Sequence, residues 1–214
     1  MDSIVLQNTL PEIFKNEVGL TSDVWLQNIT FEKGKHYLIE ANSGTGKSSL
    51  CSYLYGYRAD FSGTILFDQS DIRKIRQSAW DDIRCCQLSF LFQELRLFPE
   101  LTAFENIKLK SNLTEYKSDD QIREMFEILE ISDKLDTSVS KMSWGQQQRV
   151  AIIRCLSQRF DFIILDEPIS HLDDRNATII AKLIETEVLQ REAGIIVTSI
   201  GKHLPLNYDK KLAL

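Results

Sequence analysis

The chain has 214 residues, of which 43% are hydrophobic and 26% are charged, a composition suited to one sizeable domain with an inserted subdomain. Its formal net charge of −6 argues against a general binder of nucleic acids or anionic membranes. No apolar run approaches the roughly 18 residues that cross a bilayer, and no signal peptide is visible. The four cysteines lack metal-ligand spacing and are expected to be reduced thiols.

The first part of the chain predicts several strands around one short helix. We expect strands at 4–8, 24–31, 37–39, 63–67 and 87–92. The first two are expected to pair as an antiparallel edge. The third leads into a loop of small residues, and a helix with one apolar side follows at 49–54.

That loop has the composition of a phosphate-binding turn. Its residues are Ala41, Asn42, Ser43, Gly44, Thr45, Gly46, Lys47, Ser48 and Ser49. A small-residue turn between a strand and a helix lets backbone N–H groups converge on one anion, and the helix N-terminus adds partial positive charge. Lys47, expected to be an exposed loop cation, would reach the β- and γ-phosphates of a nucleotide, and the Ser48 hydroxyl would ligate Mg²⁺.

The first position of this loop departs from the usual pattern, because Ala41 stands where glycine is expected. Alanine costs little there if its φ is negative, and about 1 kcal/mol if its φ is positive. Gly44 and Gly46 remain where the backbone must approach a phosphate most closely. We therefore predict that the loop binds nucleotide.

Residues 94–141 change character and contain no strand pattern. A helix is expected to begin at 102–107, where Thr102 and Glu105 have capping-box spacing. A second, amphipathic helix is expected at 118–129, with apolar residues on one face. We interpret 94–141 as a helical subdomain inserted into an α/β core.

The α/β pattern resumes after this insertion. We expect helices at 144–158 and 174–192, and strands at 162–165, 194–198 and 210–214. The predicted fold is α/β: a phosphate-loop NTPase core with a mostly parallel sheet flanked by helices, an antiparallel β edge and an inserted helical subdomain. Its expected parts are 1–93, 94–141 and 142–214.

Two acids, Asp166 and Glu167, stand at the end of the apolar strand 162–165. The carboxyl ends of parallel strands are where open α/β sheets bind ligands, so these acids are expected beside the phosphate loop. Asp166 would hold Mg²⁺, and Glu167 would act as general base or orient the attacking water. Alone, such a pair is more often a turn cap; the upstream loop favours the catalytic interpretation.

The segment Met-Ser-Trp-Gly-Gln-Gln-Gln-Arg-Val-Ala at 142–151 carries the most specific resemblance. It resembles the L-S-G-G-Q signature of ABC-type ATPases. The order of the other motifs matches too: the phosphate loop, Gln93 within a glutamine loop at 91–107, the signature, Asp166-Glu167, and 170–173, which is similar to the S-A-L-D loop. The chain resembles the short bacterial ATPases that serve lipoprotein-release and MacB-type efflux systems.

The resemblance implies that two subunits pair head to tail around two ATP molecules. Ser143 and Gly145 of one subunit would contact the γ-phosphate held by Lys47 of the other, and Gln146 joins this nucleotide-binding set. The helix start at Ser143 offers free N–H groups and a favourable dipole. Gln93 would connect Mg²⁺ or the attacking water to the helical subdomain and a membrane permease.

The family pattern implies roles for two further residues, and two other residues differ from it. Asp173 would cross the dimer interface. Phe14 would stack on adenine, or is an ordinary apolar turn residue. Trp144 replaces a signature glycine and would pack either at the subunit interface or on its own domain. Ser199 stands where the family has the switch His, and losing such a donor commonly costs about 10²–10³ in rate.

Three functional hypotheses remain after these motifs. The first is a cytoplasmic Mg²⁺-dependent ATPase, peripheral on the inner face of the membrane, that powers a separate permease. The second is an ATP-gated regulatory subunit with weak hydrolysis, favoured by Ser199 and by Ala41. The third, a DNA-repair or chromosome ATPase of the same superfamily, requires a long coiled-coil insertion, and the sequence contains none.

Overall fold

The computed structural model describes residues 1–42, 44–170 and 172–214. Its strands form two sheets. The strands are β1 (Ser3–Pro11), β2 (Asn28–Glu32), β3 (His36–Glu40), β4 (Phe61–Phe67), β5 (Ser70–Asp71), β6 (Leu88–Leu91), β7 (Phe162–Asp166), β8 (Gly194–Ser199) and β9 (Lys210–Ala213). The antiparallel sheet has the order β2-β1-β4-β5, and the second sheet has the order β6-β7-β8-β3-β9. This division confirms the predicted core with an antiparallel edge.

All pairs in the second sheet are parallel, and its central strands are almost continuous runs of branched apolar residues. The register places Glu40 beside Ser199 and Asp166 beside Thr198. The carboxyl ends of β3, β7 and β8 therefore meet at one edge of the sheet. This alignment brings sequence segments that are more than 120 residues apart into one site.

The helices cover the faces of this sheet. They are α1 (Lys47–Leu54), α2 (Gln77–Cys86), α3 (Ala103–Thr114), α4 (Asp119–Ile128), α5 (Trp144–Leu156) and α6 (Asp174–Arg191). The predicted capping signal is present, because Thr102 and Glu105 cap α3 reciprocally. Ser118 caps α4 in the same way with Gln121, a cap that was not predicted from the sequence.

The core consists of two buried clusters on opposite faces of the parallel sheet. On β7, for example, Ile163 and Leu165 join the cluster with α3 to α6, whereas Phe162 and Ile164 join the cluster with α1 and the antiparallel sheet. This alternation follows from the period of two along a strand. Both faces are buried, which explains why these strands lack polar alternation.

One local prediction was wrong, and one helix was missed. The segment 24–31 is not one strand: β2 begins at Asn28, because Leu26 has a positive φ of 59° that interrupts an extended backbone. The helix α2 was not predicted from the sequence. Its N-cap Arg76 makes no side-chain capping hydrogen bond, so the usual signal for the start of a helix is missing.

Among the described residues, no helix is both long enough and apolar enough to cross a membrane.

Candidate functional site

The phosphate loop is shaped by glycines and by two aromatic rings beneath it. Gly44 and Gly46 have φ angles of 86° and 95°, a region that L-residues rarely adopt. A Cβ on Gly46 would lie 2.7 Å from Cε2 of Phe14 and 3.2 Å from Cζ2 of Trp25. The Trp25 indole also donates a 3.0 Å hydrogen bond to the Thr45 carbonyl. The loop thus rests on Phe14 and Trp25, and only glycine fits at position 46.

Ala41, the residue that replaces the first glycine of the pattern, is buried and follows the end of β3. Its N–H donates to the Ser199 carbonyl at 3.0 Å. The described residues with positive φ do not include Ala41. Alanine is therefore accommodated without strain at this position.

Lys47 begins α1, and the expectation of an exposed loop cation was wrong, because the residue is only 7% exposed. Its ammonium contacts Oε1 of Glu167 and lies 3.6 Å from Oδ1 of Asp166. A buried cation needs compensating charge, and the two carboxylates supply it. The sheet register therefore brings the phosphate-loop lysine directly onto the two acids at the end of β7.

Asp166 is held by a neighbouring strand. The Thr198 hydroxyl on β8 donates to Asp166 Oδ1 at 2.6 Å, and Asp166 itself is 6% exposed. Burial, and then the charge of Asp166, raise the pKa of the Cys51 thiol on α1, so this cysteine stays neutral beside the acid. The Asp166 carboxylate therefore has a fixed orientation toward Lys47.

Glu167 has an unusual backbone conformation. Its φ is 50°, in the left-handed region, and its N–H donates to the Thr198 carbonyl at 3.0 Å. The chain therefore turns sharply as it leaves β7. The turn places the Glu167 carboxylate on the Lys47 side, where the Gln93 amide Nε2 lies 3.5 Å from Oε2.

Residues of the phosphate loop, Gln93 and Glu167 line one open cleft of about 320 Å³, and Asp166 is not part of this lining. The cleft-lining residues are Ile13, Phe14, Asn42, Gly44, Gly46, Lys47, Ser48, Ser49, Gln93, Glu167 and Ile200. Ile13 and Ile200 were not predicted, because neither belongs to a recognisable motif. Ser43 and His171 lie outside the described residues. The structure thus brings together most of the predicted residues from the phosphate loop, Gln93 and Glu167.

The predicted signature residues lie at the start of α5 and do not line this cleft. Ser143 caps the helix reciprocally with Gln146: the Gln146 N–H donates to the Ser143 hydroxyl at 3.3 Å, and the Ser143 N–H donates to Gln146 Oε1 at 3.0 Å. A Cβ on Gly145 would meet Leu172 at 3.1 Å. The Trp144 residue is 44% exposed.

Asp173 caps α6 in the segment that follows Leu172. Its carboxylate accepts hydrogen bonds from the Asn176 N–H and from the Asn176 side chain, both at 2.8 Å. These bonds lower the pKa of Asp173, so it is a carboxylate at neutral pH. Like the start of α5, it is separate from the residues that line the cleft.

Ser199 ends β8 and is 1% exposed. Its hydroxyl donates to the Lys202 carbonyl, and the Lys202 ammonium in turn donates to the Leu172 carbonyl at 2.7 Å. The Ser199 hydroxyl is therefore committed to the backbone of its own loop. Ile200, the next residue, is the one that faces the cleft.

The residues present fit a magnesium–nucleotide. The Ser48 hydroxyl, the Gln93 amide oxygen and the Asp166 carboxylate are oxygen donors of the kind that Mg²⁺ prefers. The N-terminus of α1 and the Lys47 ammonium supply positive charge for phosphates. The glycines leave the backbone accessible, since a Cβ on Gly44 would meet no described atom within 4 Å.

Comparison with known proteins agrees with this arrangement. A family model described as ABC transporter matches residues 26–170. The chain is 34% identical to an uncharacterized ABC transporter ATP-binding protein, YvrO of Bacillus subtilis (strain 168), over 86% of this chain and 79% of that one. It is 31% identical to the lipoprotein-releasing system ATP-binding protein LolD 1 of Chlorobium chlorochromatii (strain CaD3), over 80% of this chain and 72% of that one.

A solved structure supports the fold as well. The dimeric post-hydrolysis structure of the ATP-binding cassette MJ0796, bound to ADP and Pi, superposes with a TM-score of 0.74. The two chains are 25% identical, and the match covers 92% of this chain and 87% of that one.

Proposed function

This chain belongs to the family of ABC transporter ATP-binding proteins, and on that premise we propose that it hydrolyses Mg-ATP to power a separate membrane permease. The observation that carries the proposal is the convergence of Lys47, Asp166, Glu167 and Gln93 at one edge of the parallel sheet. The family match concerns sequence, whereas this convergence supports the chemistry independently. On this proposal the protein is cytoplasmic and peripheral, held at the inner face of the membrane by its permease.

In the proposed mechanism, Lys47 binds the β- and γ-phosphates and Glu167 acts on the attacking water as a base or orienting acceptor. Bound Mg²⁺ would neutralise phosphate charge, held by Ser48, Gln93 and Asp166. Lys47 contacts Glu167 directly, so a triphosphate competes with this carboxylate for the same ammonium. Nucleotide binding would therefore release the Glu167 carboxylate for the water, while Thr198 keeps Asp166 in place.

We propose a head-to-tail homodimer as the working unit. Ser143, Gly145 and Gln146 lie at the start of α5, outside the cleft, so they are available to a nucleotide held by a second copy. The helix N-terminus there favours an anion. The MJ0796 cassette is described as dimeric, which supports the same assembly. Phe14 packs against Gly46 at the edge of the cleft, a position from which it would contact the adenine.

The proposed permease contact is the helical subdomain, 94–141. It follows Gln93 directly and contains α3 and α4. The resulting division of the chain is an ATPase core of 1–93 and 142–214 with this subdomain inserted. Gln93 lies 3.5 Å from Glu167 and immediately before the insertion, so it is suited to connect the two parts.

One observation favours slow hydrolysis, the basis of the regulatory alternative. The Ser199 hydroxyl donates to the Lys202 carbonyl and is buried, so it does not offer its proton to a γ-phosphate. Losing one pre-organised donor commonly reduces turnover by about 10²–10³. An ATP-gated subunit with weak hydrolysis would have this property.

The test of the proposed function is Glu167→Gln, with Lys47→Ala as the matched control. Glu167→Gln should stop hydrolysis but keep ATP binding, and should accumulate an ATP-bound dimer in size-exclusion chromatography. Lys47→Ala should lose ATP affinity in calorimetry, because its ammonium is the cation between the loop and the acids. Undiminished hydrolysis in Glu167→Gln, or unchanged affinity in Lys47→Ala, would refute the assigned roles.

A further inference from the structure

The conformation of Glu167 needs support from its surroundings. A left-handed φ at a residue with a side chain is unfavourable and persists only where neighbouring contacts over-determine it. The direction of the Glu167 carboxylate depends on this turn, because an extended residue after β7 would point its side chain elsewhere. The groups that fix the turn therefore decide whether the carboxylate faces the cleft.

One buried side chain reaches this turn from a different element. Gln148 on α5 is 2% exposed, and its Nε2 donates to the Glu167 carbonyl at 3.4 Å and to the Pro168 carbonyl at 2.5 Å. Two consecutive carbonyls can accept from one amide only if the chain turns between them. The amide of Gln148 thus supports the observed backbone conformation from α5, in addition to the hydrogen bond from the Glu167 N–H to the Thr198 carbonyl.

The cost of burying this side chain supports a specific role. Gln148 Oε1 is buried without a hydrogen-bond partner among the described residues. A buried, unpaired amide oxygen is unfavourable, so the stability of the fold alone does not explain why a glutamine is buried at this position. An apolar residue would fill the same space more cheaply but could not donate to the turn.

We propose that Gln148 is a positioning residue for hydrolysis: its amide holds the Glu167–Pro168 turn so that the Glu167 carboxylate faces the cleft. The inference rests on the proposed function, in which Glu167 acts on the attacking water. Because α5 begins directly after Ser143, the same contact connects the signature helix to Glu167. Gln148 touches no substrate and acts only through Glu167.

The chain offers a matched control, Gln158. This residue is also fully buried, its Nε2 also donates to backbone carbonyls (Leu88 at 2.9 Å and Arg84 at 3.1 Å), and its Oε1 is likewise unpaired among the described atoms. None of these hydrogen-bond partners lines the cleft. Gln148→Met and Gln158→Met therefore remove the same kind of donor at nearly constant volume, one beside Glu167 and one away from it.

The experiment measures kcat, KM and ATP affinity for both Met variants, with melting temperatures as a measure of the fold. Both should lose similar stability. Gln148→Met alone should lose kcat, by about tenfold or more, with KM and ATP affinity within about twofold, because a catalytic group displaced by about 1 Å loses much of its effect. A purely structural role would lower stability in both variants and leave kcat per folded molecule unchanged.

Further outcomes separate this inference from the proposed function. If Glu167→Gln is inactive but Gln148→Met has normal kcat, the positioning role is refuted while the base role stands. If Glu167→Gln hydrolyses ATP normally, both the positioning role of Gln148 and the base role of Glu167 are refuted. Should Gln148→Met not fold, Gln148→Asn, whose amide is one methylene too short, must show the same selective loss of kcat, and normal kcat there refutes the proposal.

Discussion

The contact between Gly46 and Phe14 allows a quantitative test of how the phosphate loop is built. In Gly46→Ala the new Cβ would lie 2.7 Å from Cε2 of Phe14, closer than real Cβ contacts, at a φ of 95°. The left-handed backbone costs alanine about 1 kcal/mol. Overpacking against the ring adds roughly 1–3 kcal/mol. The free energy of unfolding should therefore fall by about 2–4 kcal/mol, or on the order of 10 °C in Tm.

A double-mutant cycle isolates the steric part. Phe14→Ala removes the clashing ring, so Gly46→Ala should cost at least about 1 kcal/mol less in that background. Gly44→Ala is the control for the backbone, because Gly44 has a similar φ of 86° and no described atom lies within 4 Å of the place its Cβ would take. Gly44→Ala should lower the free energy of unfolding by only about 1 kcal/mol, the cost of a left-handed backbone for alanine.

Urea unfolding followed by far-UV circular dichroism measures all four proteins of the cycle and the Gly44 control. Equal losses in Gly46→Ala and Gly44→Ala would refute the steric reasoning. Strict additivity of Gly46→Ala and Phe14→Ala would do the same, since it would mean that ring and loop do not interact. Either result would also weaken the placement of Phe14 beside the nucleotide.

Two other predictions follow from buried groups. Ser199→His should raise kcat at saturating Mg-ATP about tenfold, because the imidazole supplies a hydrogen-bond donor. Ser199→Ala should change kcat little, because the Ser199 hydroxyl donates to the Lys202 carbonyl. An unchanged or lower kcat in the His variant would remove the explanation for slow turnover. Glu187→Ala should lower the free energy of unfolding by about 3–5 kcal/mol in urea titrations, since it strips the buried Lys117 and Arg191 of their shared carboxylate. Arg175→Ala, which breaks an exposed pair, should cost under about 1 kcal/mol, and equal losses in the two variants would contradict this argument.

The amino-acid sequence was sufficient wherever a signal is local. The capping box that begins α3, the apolar face of α4 and the continuous apolar runs of β7 and β8 each depend on residues close together in the chain. The strand, small-residue loop and helix from β3 to α1 are of the same kind. Order and spacing of the motifs then identified the family, because such a set of local signals is specific in combination.

Local signals failed where contacts between distant segments override them. The segment 24–31 has strand-like composition, yet Leu26 takes a positive φ as the chain passes under the phosphate loop, and Trp25 bonds to Thr45. The helix α2 has no side-chain cap, so no local signal marks where it begins, and it packs through Trp80 and Ile83. Propensity is a weak guide in such segments.

The site shows the same division. Lys47, Asp166, Glu167 and Gln93 could be named from motifs, because each motif is a short pattern of residue types. Their mutual geometry depended on the parallel register, which sets Asp166 beside Thr198 and buries Lys47 against both acids. Charge neutralisation in a buried site is a property of neighbours in space, so an exposed Lys47 was the natural but wrong expectation. The support of Glu167 by Gln148, 19 residues earlier in the chain, could be seen only once α5 was packed against the end of β7.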